Sequence, residues 1–410
     1  MATIAVLGTL GTLDTKGPEH GFVAERIRQH GHDTLLIDVG TAGSPQIVPQ
    51  VTRHEVAASI DIDLDAVLAR ADRGECVSAM AEAAPVLLHR LYREGRIEGV
   101  ISLGGGGGTA IATAAMRALP IGVPKLMVST LASGNTAHYL GSKDITLMPS
   151  IVDVAGLNRV SKVIFSRAAG AICGMVDATI DADDVRPLIV ASMFGNTTDC
   201  VNAAIPVLEK AGYEVLVFHA TGAGGRAMES LIESGMVAGV LDITTTEWAD
   251  ELVGGVLSAG PQRLDAAAAM GVPAIVVPGC LDMVNFAARD TLPSRFESRN
   301  LYVHNPQVTL MRTNVQECRE LGKIVARKIS EYTALVTVLV PCLGISALSG
   351  DRQPFHDPDA DAALFSAIAS ELREDIELRK LDLEINDPQF AQACAMALLE
   401  NIHRHQRVDA

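Results

Sequence analysis

Five consecutive glycines, Gly104 to Gly108, stand between the apolar run "GVISL" and the alanine-rich run "TAIATAAM". This order predicts a buried strand that ends, a tight turn and a helix that begins at about Thr109. Glycine lets backbone N–H groups come close to a ligand, and the helix N-terminus beyond favours an anion. The chemistry implied is phosphate binding. Lys16, in "LDTKG", is the lysine beside the first glycine-rich loop and could meet a phosphate charge, with Asp14 orienting it or holding a magnesium ion. It could equally be a surface lysine at a helix start capped by Thr15 or Asp14. Thr130, Ser133, Asn135 and Thr136 in "STLASGNT" supply hydroxyls and an amide around Gly134, although such residues also form turns and caps without a ligand.

The second half carries a different set of groups. His219 ends the apolar run in "FHATGAGGRAM", and Arg226 opens the helix expected after it. Asp242 and Glu247 fall in "LDITTTEWAD", Asp282 and Asn285 in "PGCLDMVNF", and His304 and Arg312 in "YVHNPQVTLMRT". His219, Asp242, Glu247 and His304 are the acid–base candidates. Arg226, Asp282, Asn285 and Arg312 are the candidates for holding a substrate, an arginine fork suiting a carboxylate or phosphate. No H-E-x-x-H or C-x-x-C spacing occurs, so no metal site is expected. Cys280, in "VPGCLD", follows a strand as a nucleophile could, but a buried small thiol is the plainer expectation.

The glycines match no named nucleotide motif. "GGGGGT" lacks the G-K-[ST] ending of the P-loop, and "GAGGRA" is only a relative of G-x-G-x-x-G. What unites the glycine and hydroxyl loops is position, because each follows an apolar strand. Strands at "TIAVLG", "DTLLIDVG", "GVISLG" and "KLMVST" alternate with helix-like stretches at about Pro18 to Gln29 and Ala66 to Tyr92. After a further helix in "RVSKVIFSRAAGAICGMVDA" the pattern restarts with five more apolar strands, beyond an acidic stretch around Asp181 to Asp184. Strands separated by helices call for right-handed crossovers and parallel sheets. The expected fold is therefore α/β, with two doubly wound, mostly parallel, Rossmann-like lobes at 1–182 and 183–410. Ligands of such sheets bind at the carboxyl ends of the strands, where these loops lie.

Bulk properties narrow the partners. With 48% apolar and 20% charged residues, the 410-residue chain has a globular composition with room for two cores. A net charge of −16 gives no attraction to nucleic acid or to anionic lipid. No run of 18 apolar residues occurs, so no membrane span is expected. The N-terminus reads as a strand and not as a signal peptide, and seven unpaired-looking cysteines suit a reducing compartment, so a cytoplasmic location is expected. The apolar content leaves room for an interface, and a two-fold homodimer is the commonest way to use it.

Taken together, "GTLDTKG", "GGGGGT", "STLASGNT", "HATGAGGRAME", "LDITTTEWAD", "PGCLDMVNF" and "HNPQVTLMRT" resemble uncharacterised protein family 0261, over nearly the whole chain from Ile4 to about Gly350. That family has a Tm-1-like ATP-binding description and includes the N-terminal region of a tomato tobamovirus-resistance protein. The resemblance implies a two-lobed, dimeric α/β protein that binds ATP, with or without Mg2+; it implies no particular reaction. Matched onto this chain, the implied ATP-binding residues are Gly11, Thr12, Asp14, Thr15, Lys16, Gly105, Gly106, Gly107, Gly108 and Thr109. Thr130, Ser133, Gly134 and Asn135 would close the pocket. Three functions are open at this point: an ATP-using enzyme acting on a small molecule, an enzyme for a phosphorylated or carboxylated metabolite without nucleotide, and a non-catalytic interaction protein stabilised by ATP.

Overall fold

The computed structural model describes residues 2–8, 13, 16–41, 43–179 and 186–408. The chain divides into two compact units, Met1–Ala182 and Asp183–Ala410. The acidic stretch expected at their junction lies outside the described residues.

The first unit is built on five strands: β1 (Thr3–Gly8), β2 (Asp33–Asp38), β3 (Gly99–Gly104), β4 (Lys125–Ser129) and β5 (Thr146–Pro149). They are all parallel, in the order β2-β1-β3-β4-β5. Alternate residues face opposite layers, as the two-residue period of a strand requires. Ala5, Ile37, Val100 and Met127 pack against the helices Arg73–Arg93 and Gly106–Arg117. Ile4, Leu36, Ile101, Leu126 and Val128 pack against Gly17–Gln29 and Arg159–Asp177. Both faces are covered, which is why these strands read as continuous apolar runs. The long helix expected from Ala66 to Tyr92 is in fact two, Leu64–Ala69 and Arg73–Arg93. Ala71 between them has φ of 53°, and the Asp72 carboxylate caps the second helix by accepting from Glu75 N at 3.0 Å.

The second unit has six parallel strands and a small antiparallel sheet. The parallel strands are β6 (Leu188–Met193), β7 (Glu214–His219), β8 (Val237–Thr244), β9 (Ala274–Gly279), β13 (Val336–Pro341) and β14 (Glu377–Leu381). Their order is β7-β6-β8-β9-β13-β14. Between β9 and β13 the chain forms β10 (Met283–Phe286), β11 (Leu301–Asn305) and β12 (Val308–Arg312), an antiparallel sheet ordered β10-β12-β11. The small sheet and β14 are additions to the five strands read from the sequence; "ELRKL" is a polar edge strand with no apolar signature.

Numbered within its own unit, each parallel sheet begins 2-1-3-4-5. The order reverses between β1 and β3 in the first unit, and between β6 and β8 in the second. Such a switch point opens a crevice at the carboxyl ends of the strands.

Candidate functional site

In the first unit, Gly105 follows β3 as the N-cap of the helix Gly106–Arg117, in extended backbone with φ of −91° and no side-chain cap. Its carbonyl accepts from Thr109 N and Thr109 Oγ1, both at 2.8 Å. Thr109 Oγ1 also meets Ser129 Oγ, the last residue of β4, at 2.7 Å, and Ser129 Oγ accepts from Leu131 N at 3.0 Å. Thr130 N donates to Gly104 O at 3.2 Å. These bonds lash the loop after β4 to the start of the glycine helix. Thr130, Ser133, Gly134 and Asn135 are all exposed on that loop.

A groove of about 510 Å3 runs from there, lined by Ser129, Thr130 and Ser133 on one side and, on the other, by Pro149 at the end of β5 and Ser150 to Asp153 after it. Lys16 Nζ donates to Val154 O and stands 4.0 Å from Asp153 Oδ1, which places it at the edge of the same groove. The glycine helix thus meets the loop after β4, and Lys16 stands beside Asp153 on the opposite side of the groove that this loop borders. Gly11, Thr12, Asp14 and Thr15 lie outside the described residues.

Gly105 and Gly106 are not explained by packing. A Cβ at Gly105 would sit 3.6 Å from Thr130 Oγ1, and one at Gly106 would sit 3.7 Å from Leu131 Cδ1. Both are ordinary contacts, so the protein's own atoms would admit a side chain. In the second unit the opposite holds. The loop after β7 leads into the helix Ala223–Glu233, and a Cβ at Gly225 would lie 2.2 Å from Glu247 Oε2. Glu247 is fully buried, and its Oε1 accepts from Gly222 N at 2.7 Å and Gly225 N at 3.1 Å. A side-chain carboxylate therefore occupies the helix N-terminus that "GAGGRA" suggested for a ligand.

Glu247 belongs to a closed ionic cluster. Arg263, also fully buried, donates from Nε to Glu247 Oε2 at 2.7 Å, from Nη1 to Asp242 Oδ2 at 2.6 Å and from Nη2 to Asp242 Oδ1 at 2.7 Å. Its Nη1 also reaches Glu229 Oε1 at 3.0 Å. Burial works against the guanidinium charge, but Asp242, Glu247 and Glu229 outweigh it and hold Arg263 well above its ordinary value. Three carboxylates share one cation, and burial raises Glu229 despite Arg263 and two backbone donors. No motif marked Arg263, and Glu229, the last residue of "HATGAGGRAME", was given no role; only the tertiary structure closes residues 229, 242, 247 and 263 into one cluster.

The other second-unit candidates are dispersed. His219 is exposed at the end of the edge strand β7, and His304 is exposed on β11 of the antiparallel sheet. Arg226 is exposed and donates to Ser258 O at 3.0 Å. Arg312 is buried and committed to its own chain, donating to Phe355 O at 2.8 Å and to Asp361 Oδ1 at 2.6 Å. Asp282 is buried and accepts from Ser346 Oγ at 2.7 Å; burial, opposed by Arg312, lifts its carboxyl to about 6. Asn285 Nδ2 donates to Asp250 Oδ2 at 2.7 Å, and burial raises Asp250 to about 7 against three such donors. Cys280 is fully buried with φ of 58°, and burial pushes its thiol well above the ordinary range, the opposite of an activated nucleophile.

A cavity of about 360 Å3 near the end of β13 is lined by Asp351, Asp361 and Glu384, with His356 and Cys342. Its carboxylates oppose a phosphorylated or carboxylated ligand. Among the described residues, no group of three His, Cys, Asp or Glu side chains is placed to hold a metal, and no helix is long and apolar enough to cross a membrane.

Comparison with known proteins adds a family. The model of the uncharacterised protein family UPF0261 N-terminal domain matches residues 3–181, and that of the C-terminal domain matches 186–402. A UPF0261 protein of Clostridium tetani is 47% identical over 96% of this chain and 98% of its own length. One from Rhizobium meliloti is 46% identical over 95% of this chain and 97% of its own. The ToMV resistance protein Tm-1(GCR237) of Solanum lycopersicum is 38% identical over 98% of this chain, which spans 56% of that protein. Among solved structures, a UDP-N-acetylglucosamine 2-epimerase from Rickettsia bellii aligns over 67% of this chain and 78% of its own, at 12% identity and a TM-score of 0.22. A likeness that faint says nothing about chemistry.

Proposed function

The chain belongs to the uncharacterised protein family UPF0261, and from that premise we propose that its first unit binds ATP, with the phosphates at the start of the helix Gly106–Arg117. One contrast carries this reading. Both units open a helix with glycines at its cap and in its first turn, and in the second unit that helix start holds the protein's own Glu247. In the first unit, among the described residues, no side chain accepts from the start of the helix, and Gly105 and Gly106 leave a space that their described neighbours do not need. Backbone N–H groups there would take a phosphate, the helix dipole would favour its charge, and Lys16 supplies a cation at the groove edge. The groove volume falls within the usual range for ligand sites.

ATP in this site serves an enzyme acting on a small molecule. Against the nucleotide-free metabolite enzyme, the structure leaves His219 and His304 on separate sheets and closes Asp242 and Glu247 around Arg263. Titration calorimetry with ATP and magnesium tests binding, and the Lys16→Ala variant tests the site. Lys16→Ala is expected to weaken ATP by about 1.5–3 kcal/mol, the scale of a hydrogen bond to a charged group. Absence of heat at millimolar nucleotide refutes the proposal. Prolonged incubation with ATP and candidate metabolites, followed by product analysis, separates an enzyme from an interaction protein. The proposal includes a two-fold homodimer, which light scattering at micromolar concentration checks.

A further inference from the structure

The groove also carries an apolar feature that its hydrogen-bond donors do not explain. Ile151, among its lining residues, is 73% exposed and has φ of +64°. A β-branched residue at positive φ is a genuine outlier, because its side chain crowds the backbone. Val152 N donates to Ser150 O at 2.7 Å, closing a three-residue turn about Ile151 of the strained γ type. The turn is held in place from below: Ser150 N donates to Ser129 O at 3.1 Å, and Ser150 Oγ to Val152 O at 2.6 Å. A large aliphatic side chain is thus kept in strained backbone and in water at the mouth of a polar groove. Strain of this kind collects at ligand clamps.

We infer that Ile151 is the platform for the base of the nucleotide, so that this groove takes a flat aromatic heterocycle as well as phosphates. The inference rests on the nucleotide reading above. The helix start meets the phosphate end through Gly105 and Gly106, while Ser129 and Thr130 join that end to the groove that Ile151 borders. A planar base laid on the isoleucine would cover its apolar face, and the rigid turn keeps that face presented.

The test compares ATP with inorganic tripolyphosphate, both with magnesium, on the whole chain. Asparagine tolerates the left-handed region and is polar, so Ile151→Asn retains the turn and removes the platform. Wild type is expected to bind ATP more tightly than tripolyphosphate. Ile151→Asn is expected to lose roughly tenfold in ATP affinity, the scale of a few buried methylenes, with tripolyphosphate affinity unchanged and the unfolding temperature equal or higher. Equal affinity of wild type for the two ligands overturns the platform and leaves the phosphate site standing. Unchanged ATP affinity in Ile151→Asn also overturns it, as does an equal loss for both ligands. Binding of neither ligand by wild type refutes the nucleotide reading itself.

Discussion

Replacing Glu247 by alanine should turn a filled anion site into an empty one. The carboxylate takes two backbone N–H groups, Gly222 at 2.7 Å and Gly225 at 3.1 Å, and the Arg263 Nε donor at 2.7 Å. Each buried donor left without a partner costs about 1–3 kcal/mol. Arg263 keeps both oxygens of Asp242 and one of Glu229, so its charge remains compensated, and the repulsion among three carboxylates falls. The net loss should therefore be about 3 kcal/mol, at the lower end for a broken buried pair. For a unit of this size that is a fall of roughly 6–12 °C in unfolding temperature. The vacated space matches a small carboxylate with its donors already aimed. Formate at ten times its dissociation constant should restore about 1.4 kcal/mol by mass action. Differential scanning fluorimetry of the full chain, in sodium formate against sodium chloride, makes the measurement. Equal formate effects on wild type and variant would refute the account of Glu247 as an internal stand-in for a ligand, as would an unfolding temperature unmoved by the substitution.

Other consequences are simpler to read. Gly225→Ala should expel Glu247, since the new Cβ would lie 2.2 Å from its Oε2, and should destabilise the second unit by about 3 kcal/mol or more in urea unfolding. Gly106→Ala, with 3.7 Å of clearance to Leu131, should leave stability within about 1 kcal/mol of wild type and weaken ATP binding. Burial raises Asp250 to about 7 and Asp282 to about 6, so the folded state holds protons that the unfolded chain releases near pH 4. Their contribution to stability is complete below that pH and is lost as pH rises through 6 to 7. Urea unfolding at pH 5, 6 and 7 should show Asp250→Asn reducing this downward slope by up to about 1.4 kcal/mol per pH unit; a slope identical to wild type contradicts the burial argument.

Much of the fold was legible because a parallel sheet covered on both faces demands uninterrupted apolar strands. "GVISL" and "AIVV" announce themselves whatever lies around them. The glycine and hydroxyl loops were legible as strand-end loops for the same reason. The polar edge strand β14 was not, because "ELRKL" alternates too weakly to be told from a loop. Nor was the break at Ala71, although its cause is local: exposed Asp72 caps a new helix through Glu75 N, and Ala71 takes a positive φ to admit it.

By itself the sequence determined which loops stand at the carboxyl ends of strands, and it supplied those loops with small residues, hydroxyls and one lysine. It could not distinguish two glycine-rich turns of similar composition. Tertiary structure decided between them: Glu247, 25 residues beyond Gly222, folds back to fill one helix N-terminus, whereas no side chain among the described residues caps the other. That decision depends on which donors are already satisfied, a property of contacts distant in sequence. Arg263 and Ile151 show the same limit, since folding brings the first its carboxylates and ties the turn that holds the second at positive φ to Ser129. Local residue pattern carries neither quantity, because both arise only when separated segments pack.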